Sequence, residues 1–301
     1  MAALAVYPIK DIYMQEIDNL VRNVMLDNGI TPPPVIITDG HLHRFPDESG
    51  KLNNYYTVHC DGRAAGIAGS WKTGVKVKFK AEGKYPKLTD QQKLDFKIER
   101  HRQQQIRKAE QSKLHNDAAR KAAYINQNST PAIIHPYLNK KRVKAHGLRI
   151  YKESLVIPVF NHGVLVSVQL IDSEGTKRFL KGSKLKGSYS NLGQYLPDKP
   201  ILITEGWATG ASLFESTGNL IYVAFSAGNL KEVAQYVRSL HPTNQIIIMG
   251  DNDESGVGQT AAREAALAIG GKYLIPDTTG HDWNDVVNKE MAPWVMIQQN
   301  Y

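Results

Sequence analysis

In IIIMGDNDESG, residues 246–256, four apolar residues stop at Gly250, and Asp251, Asp253 and Glu254 crowd into the next four positions. A short apolar run that breaks at a glycine reads as a buried strand. Carboxylates set so close repel one another unless they share a cation or a proton. The plainer reading is a polar turn in which Asp253 or Ser255 caps the helix that follows.

Around this stretch the pattern repeats. ILIT (201–204), LIYVAF (220–225), QIIIM (245–249) and KYLI (272–275) are short apolar strands. Between them lie WATGASLFESTG with a glycine stop, NLKEVAQYVRSL with Asn229 as its cap, and the alanine-rich GVGQTAAREAALAIGG. Buried strands alternating with amphipathic helices predict an α/β fold, a parallel sheet covered on both faces. Ligands of such sheets bind outside the carboxyl ends of the strands. The acids fall there: Glu205 after the first strand, Asp251 and Asp253 after the third, Asp282 and Asp285 after the fourth. Oxygen ligands without clustered Cys or His suit Mg²⁺ or Mn²⁺.

Upstream the character changes. Residues 1–30 predict an amphipathic helix, ended by Gly29 and the PPP at 32–34. VIITDGHLHRF predicts strand, Asp-Gly turn and strand; YYTVHCDGRAAGIAG repeats the pattern about Asp61-Gly62, and VKVKF (75–79) alternates. Together these make a small antiparallel β module. Residues 89–126 hold no Gly or Pro and few apolar residues, which predicts a long polar helix. It is either a solvated spacer or a basic rail for phosphates, with Arg100, Arg102, Arg107, Lys108, Arg120 and Lys121. SLVIPVF and VLVSVQLID return to strands, and KGSKLKGSYSNLG (181–193) reads as a basic loop in which Tyr189 could stack on a base. Lys140, Lys141 and Arg142 form a basic cluster in HPYLNKKRV, either solvated loop or nucleic-acid contact. The expected divisions are 1–85 (helix plus β module), 86–130 (helical linker), 131–198 (mixed α+β subdomain) and 199–301 (parallel-sheet domain).

A net charge of +8 over 301 residues points to a polyanionic partner. Cys60 is the only cysteine, which rules out an intrachain disulfide and a cysteine-rich zinc site; His41, His43 and His59 complete no four-ligand set, so no zinc is expected. No run approaches the roughly 20 apolar residues of a membrane span, and the amino terminus lacks the basic start of a secretory signal, so no membrane contact and a cytoplasmic setting are expected. No GxxxxGK[ST] is present, so the sequence does not read as a helicase.

ITEGWATG, GDNDESG and GHDWNDV, in this order, resemble the Toprim domain shared by bacterial-type primases, topoisomerases and some nucleases. EGWATGAS is most similar to the plasmid- and phage-encoded primases of that group. The upstream segments HPYLNKKRVKAHGLR and LVIPVFNHGVLVSVQLIDSEGTKRFLKGSKLKGSYSNLG extend the resemblance over about the last 165 residues. DGHLHRF and AAGIAGSWKTG carry it less fully into the first 80.

The resemblance implies a DNA primase that synthesises short primers on single-stranded DNA from nucleoside triphosphates, with a separate helicase as a further partner. It implies Glu205 as general acid/base or metal-associated group, Asp251 and Asp253 as a metal-binding pair, Asp282 as a further metal position and Asp285 as its companion. Lys177, Arg178, Lys181, Lys184 and Lys186 occupy the stretch that lines the nucleic-acid path in the family. One departure stands out: replicative primases often carry an aspartate four residues after the glutamate, where this chain has Thr209. Two other readings stay open: a Toprim nuclease, whose acids activate water, and a non-catalytic single-strand-binding accessory. The β module, lacking zinc, is expected to do the template-reading work of a zinc ribbon by packing alone.

Overall fold

The computed structural model describes residues 9–60, 63–81 and 90–289. The Asp61-Gly62 turn and the first eight residues of the expected amino-terminal helix lie outside them. The chain divides into two compact units, 1–107 and 108–301.

In the first unit, α1 (Ile9–Asp27) precedes strands β1 (His43–Phe45), β2 (Asn54–His59), β3 (Ala65–Ser70) and β4 (Lys76–Lys80). They form an antiparallel sheet in the order β1-β2-β3-β4. Ile17, Val21 and Met25, one stripe of α1, share a core with Tyr56, Val58, Ala68 and Phe79. The first strand expected in VIITDGHLHRF does not form; only His43–Phe45 pairs. Arg22 explains the difference, since its guanidinium donates to the carbonyls of Pro33 (2.9 Å) and Pro34 (2.8 Å) and ties the triproline back to α1. Beyond it, the Ile37 amide donates to the Tyr56 hydroxyl (3.0 Å), and only the Gly40 amide reaches a strand carbonyl, that of Val58 (2.8 Å).

The long helix α2 (Asp90–Gln127) carries the chain from one unit to the next, so the division falls within the helix. Leu94, Ile98, Ile106 and Leu114 are exposed. Its last turns are not solvated: Ala118, Ala122 and Ile125 pack on Val156, Val168 and Leu180 of the second unit.

The second unit holds two sheets. Strands β5 (Thr130–Pro131), β6 (Arg149–Tyr151), β7 (Ser154–Asn161), β8 (Val164–Ile171) and β9 (Lys177–Phe179) form an antiparallel sheet in chain order, with α3 (Pro136–Lys141) between β5 and β6. The other sheet has the order β10-β12-β11-β13-β14, built from β10 (Ser190–Leu192), β11 (Ile201–Thr204), β12 (Ile221–Val223), β13 (Ile246–Met249) and β14 (Lys272–Leu274). Its last four strands in chain order run parallel and β10 is the antiparallel edge. Helices α4 (Trp207–Thr217) and α7 (Trp283–Lys289) cover one face together with α3; α5 (Leu230–Leu240) and α6 (Val257–Ile269) cover the other. The α/β expectation is met, with three corrections. The HPYLNKK segment is a helix whose amino end is capped by the His135 side chain. Part of the basic loop becomes β10, because Ser188 and Ser190 are buried and the Ser188 hydroxyl is bonded internally. Asn229 does not cap α5; it donates to the carbonyls of Ser188 and Ala224 (2.8 Å each) and clasps the β10 approach to the end of β12.

Among the described residues, no helix is long and apolar enough to cross a membrane.

Candidate active site

Register places the acids. Thr204, the last residue of β11, sits beside Met249, the last of β13, and Met249 beside Leu274 of β14. Glu205 and Asp251 therefore leave the sheet at the same edge. The chain can turn there because Gly250 has no side chain: a Cβ would stand 2.6 Å from both Ala262 Cβ and Ile275 Cδ1. Ala262 is fixed in α6, so Gly250→Ala is expected to cost about 1–3 kcal/mol. A fall in the denaturant midpoint at unchanged m-value checks this.

Asp282 reaches the same edge through lacing of two loops. Asn252 accepts from Gln259 (2.6 Å) and donates to the Pro276 carbonyl (2.7 Å), while its amide donates to the His281 carbonyl (3.0 Å). Behind them the Trp283 indole donates to the Gly250 carbonyl (3.0 Å), pinning α7 to the turn that carries Asp251.

The acids do not behave alike. Burial pushes the Asp251 carboxyl up to about 7, and the charges of Glu205 and Asp282 add to the rise while Lys177 opposes it. Its Oδ1 is buried without a hydrogen-bond partner. Burial also raises Glu205, against a hydrogen bond from the Ala227 amide. Asp253 goes the other way. Its carboxylate accepts from the Ser255 hydroxyl (2.6 Å) and the amides of Gly258 (2.7 Å) and Val257 (3.2 Å), and these bonds hold it below the usual carboxylate range. The capping interpretation thus describes Asp253, at the opening of α6, whereas the repulsion interpretation describes Asp251. Asp285 is also engaged: it accepts from the Asp282 amide (3.1 Å) and its own amide donates to Asp282 Oδ1 (3.0 Å), a reciprocal cap on α7.

Two lysines from the sequence-derived nucleic-acid set join the acids. The Lys177 ammonium, at the start of β9, is influenced by Asp282, Asp251 and Glu205. Burial of the ammonium lowers its pKa and the Lys141 charge adds to the fall, while the three acids oppose it. Lys141, at the end of α3, stands 3.6 Å from Asp282 Oδ2 and within influence of Lys177. The other basic residues are elsewhere. Arg178 lies 4.0 Å from Asp172, Lys186 pairs with Glu232 (2.8 Å), and Lys140, Arg142, Lys181 and Lys184 are exposed. Tyr189 is corrected outright: its ring is buried, 5.1 Å from Tyr222 and 5.3 Å from Tyr236, so it has no face to offer a base. Trp207 is likewise buried, and Thr209 lies buried in α4.

A divalent cation fits this donor set. The unpartnered Asp251 oxygen is a hard ligand beside two further carboxylates. Among the described residues, no three His, Cys, Asp or Glu side chains close into a cage of their own. An ion here would be held by one or two carboxylates and completed by water and substrate phosphate, the habit of Mg²⁺.

The Toprim domain family matches residues 200–292. Two proteins from Escherichia coli, each named DNA primase TraC, are 34% and 35% identical to this chain over 258 residues. The match covers 80% of this chain but 24% and 18% of theirs, so the chain spans less than a quarter of the length of these relatives. Among solved structures, the DnaG catalytic core is similar at 13% identity, over 63% of this chain and 79% of that one, with a TM-score of 0.43.

Proposed function

We propose, for a chain whose residues 200–292 are a Toprim domain, that it is a DNA primase: it joins nucleoside triphosphates into short primers on single-stranded DNA. The observation that carries this reading is the buried, unpartnered Asp251 oxygen with Glu205, Asp282 and the Lys177 ammonium gathered about it. A pure binder of phosphates gains nothing from burying carboxylates. The name of the two relatives supports polymerisation over other Toprim chemistry.

In this reading Asp251 and Glu205 would hold the cation, with Asp282 as a further carboxylate near them. Mg²⁺ or Mn²⁺ would lower the pKa of the primer 3′-hydroxyl and balance charge on the attacking and leaving oxygens. Glu205, its pKa raised by burial, would take the hydroxyl proton. Lys177 and Lys141 meet the triphosphate as point charges. Lys181 and Lys184, both exposed, would contact the template backbone, and Lys186 would have to leave Glu232 to join them; each such contact would cost affinity in salt. The first unit, with Tyr55 stacked on Trp71 at 4.3 Å and Arg44 over the same ring at 4.8 Å, would also meet the template. A separate helicase would supply that template.

The test uses end-labelled single-stranded DNA and α-labelled nucleoside triphosphates in one reaction with Mg²⁺ or Mn²⁺. Labelled oligomers over an intact template are the expected result. A shortened template without oligomers would replace this reading with a nuclease.

A further inference from the structure

Asp282, Trp283 and Asn284, consecutive at the head of α7, bind the end of α3, the turn at Gly250 and α4. Asp282 faces the Lys141 ammonium, Trp283 holds the carbonyl before Asp251, and Asn284 holds the backbone of Lys141 itself. The Asn284 side chain is buried, and its amide donates to the Lys141 carbonyl (2.8 Å) and to the Ser212 hydroxyl of α4 (2.7 Å). One turn on, Asn288 donates to the same carbonyl (3.1 Å). A carbonyl has two lone pairs, and here both are taken from one helix. The last residue of α3 is therefore held by its backbone and by its ammonium against the same short element. Tyr137, on the same helix, is buried near enough to Asp282 to feel its charge.

Such attention to one lysine is more than helix packing needs. A solvated lysine at the end of a six-residue helix would wander over many rotamers and would lose that freedom on meeting a phosphate. We infer that Asn284 is a positioning residue that acts through Lys141: with Asn288 it fixes the end of α3 so that the Lys141 ammonium stands ready beside Lys177 to take the triphosphate of the incoming nucleotide. Asp282 holds that ammonium until the phosphates arrive. The inference rests on the reading of the site as a nucleotidyl-transfer centre.

Its test is a double-mutant cycle read by binding. The affinity of a fluorescent ATP analogue in Mg²⁺ is measured for the full chain, Asn284→Ala, Lys141→Ala and the double variant, with primer synthesis followed in parallel. Each single change is expected to weaken binding about tenfold, and the double variant to be no weaker than either. A merely structural asparagine would give independent losses, about a hundredfold together, and that additivity would overturn the inference, as would unchanged binding in Asn284→Ala. Should Asn284→Ala not fold, Asn288→Ala removes one of the two bonds to the carbonyl. It is expected to weaken binding about threefold, and to do nothing once residue 141 is alanine; an effect that persists in the Lys141→Ala background would overturn the inference. Binding without synthesis in the parent chain would count against the polymerase reading and leave the positioning role standing. Absence of any triphosphate binding in the parent chain would overturn both.

Discussion

Replacing Asp251 with Asn is expected to lower primer synthesis by about a thousandfold while making the metal-free protein more stable at pH 8. Both effects come from one carboxylate. The activity loss follows because an amide oxygen is a weaker ligand than a carboxylate and brings no charge to a cation site. The stability gain follows from the raised pKa. In the fold the group titrates at about 7, and in the unfolded chain at about 3.9. Below pH 4 both states are protonated and nothing is lost. As pH climbs from about 4 to 7 the unfolded chain releases its proton first, so stability falls, and above 7 the full penalty remains. The variant escapes that penalty. Its melting temperature should exceed that of the parent at pH 8, with the gap closing toward pH 4. Saturating Mg²⁺ should narrow the gap at pH 8, since ligand bound to the folded parent alone stabilises it. A metal-free variant less stable than the parent at pH 8 would contradict the assignment of Asp251 as the strained acid.

Lys177→Ala should produce the second large effect, about a hundredfold loss in kcat/KM for nucleoside triphosphate, about 2.7 kcal/mol of transition-state stabilisation. A second signature separates this from a general loss of basic surface. Lys177 opposes the rise in the Asp251 pKa, so removing its charge should push Asp251 further up. The rising limb of the pH–rate profile should move to higher pH, because activity needs the deprotonated acid. Lys181→Ala, on an exposed neighbour away from the acids, should weaken DNA binding without moving that limb. A Lys177→Ala profile that keeps the parent's limb would remove Lys177 from the site.

Much of this arrangement is legible in the sequence, and the rest is hidden for identifiable reasons. The parallel sheet was readable because ILIT, LIYVAF, QIIIM and KYLI are short, apolar and separated by glycine-stopped helices. The acids were readable because strand ends of such sheets form one edge. Which acid does what was not readable, because Asp251 and Asp253 differ only in what surrounds them: one enters a buried space, the other meets the free amides of α6. Tyr189 reads as exposed because serine and glycine beside it suggest a solvated loop, whereas Ser188 and Ser190 are buried. The strand expected before the Asp-Gly turn at 39–40 does not form because Arg22, on α1, captures the prolines ahead of it. Asn284 had a faint signal, an uncharged polar residue inside GHDWNDV, but its partner Lys141 lies 143 residues away. In the sequence Lys177 and Lys141 are only members of two positive stretches; that both come beside the acids is a property of the fold.

The central claim, that this chain begins and extends primers, is tested most directly with γ-labelled ATP on an unprimed single-stranded circle. Only the first nucleotide of a chain started anew keeps its γ-phosphate, so labelled oligomers report initiation itself. The expected result is a ladder of short γ-labelled products that needs Mg²⁺ or Mn²⁺ and vanishes in Asp251→Asn. Label recovered only as free phosphate or intact ATP, with the circle opened, would contradict the account.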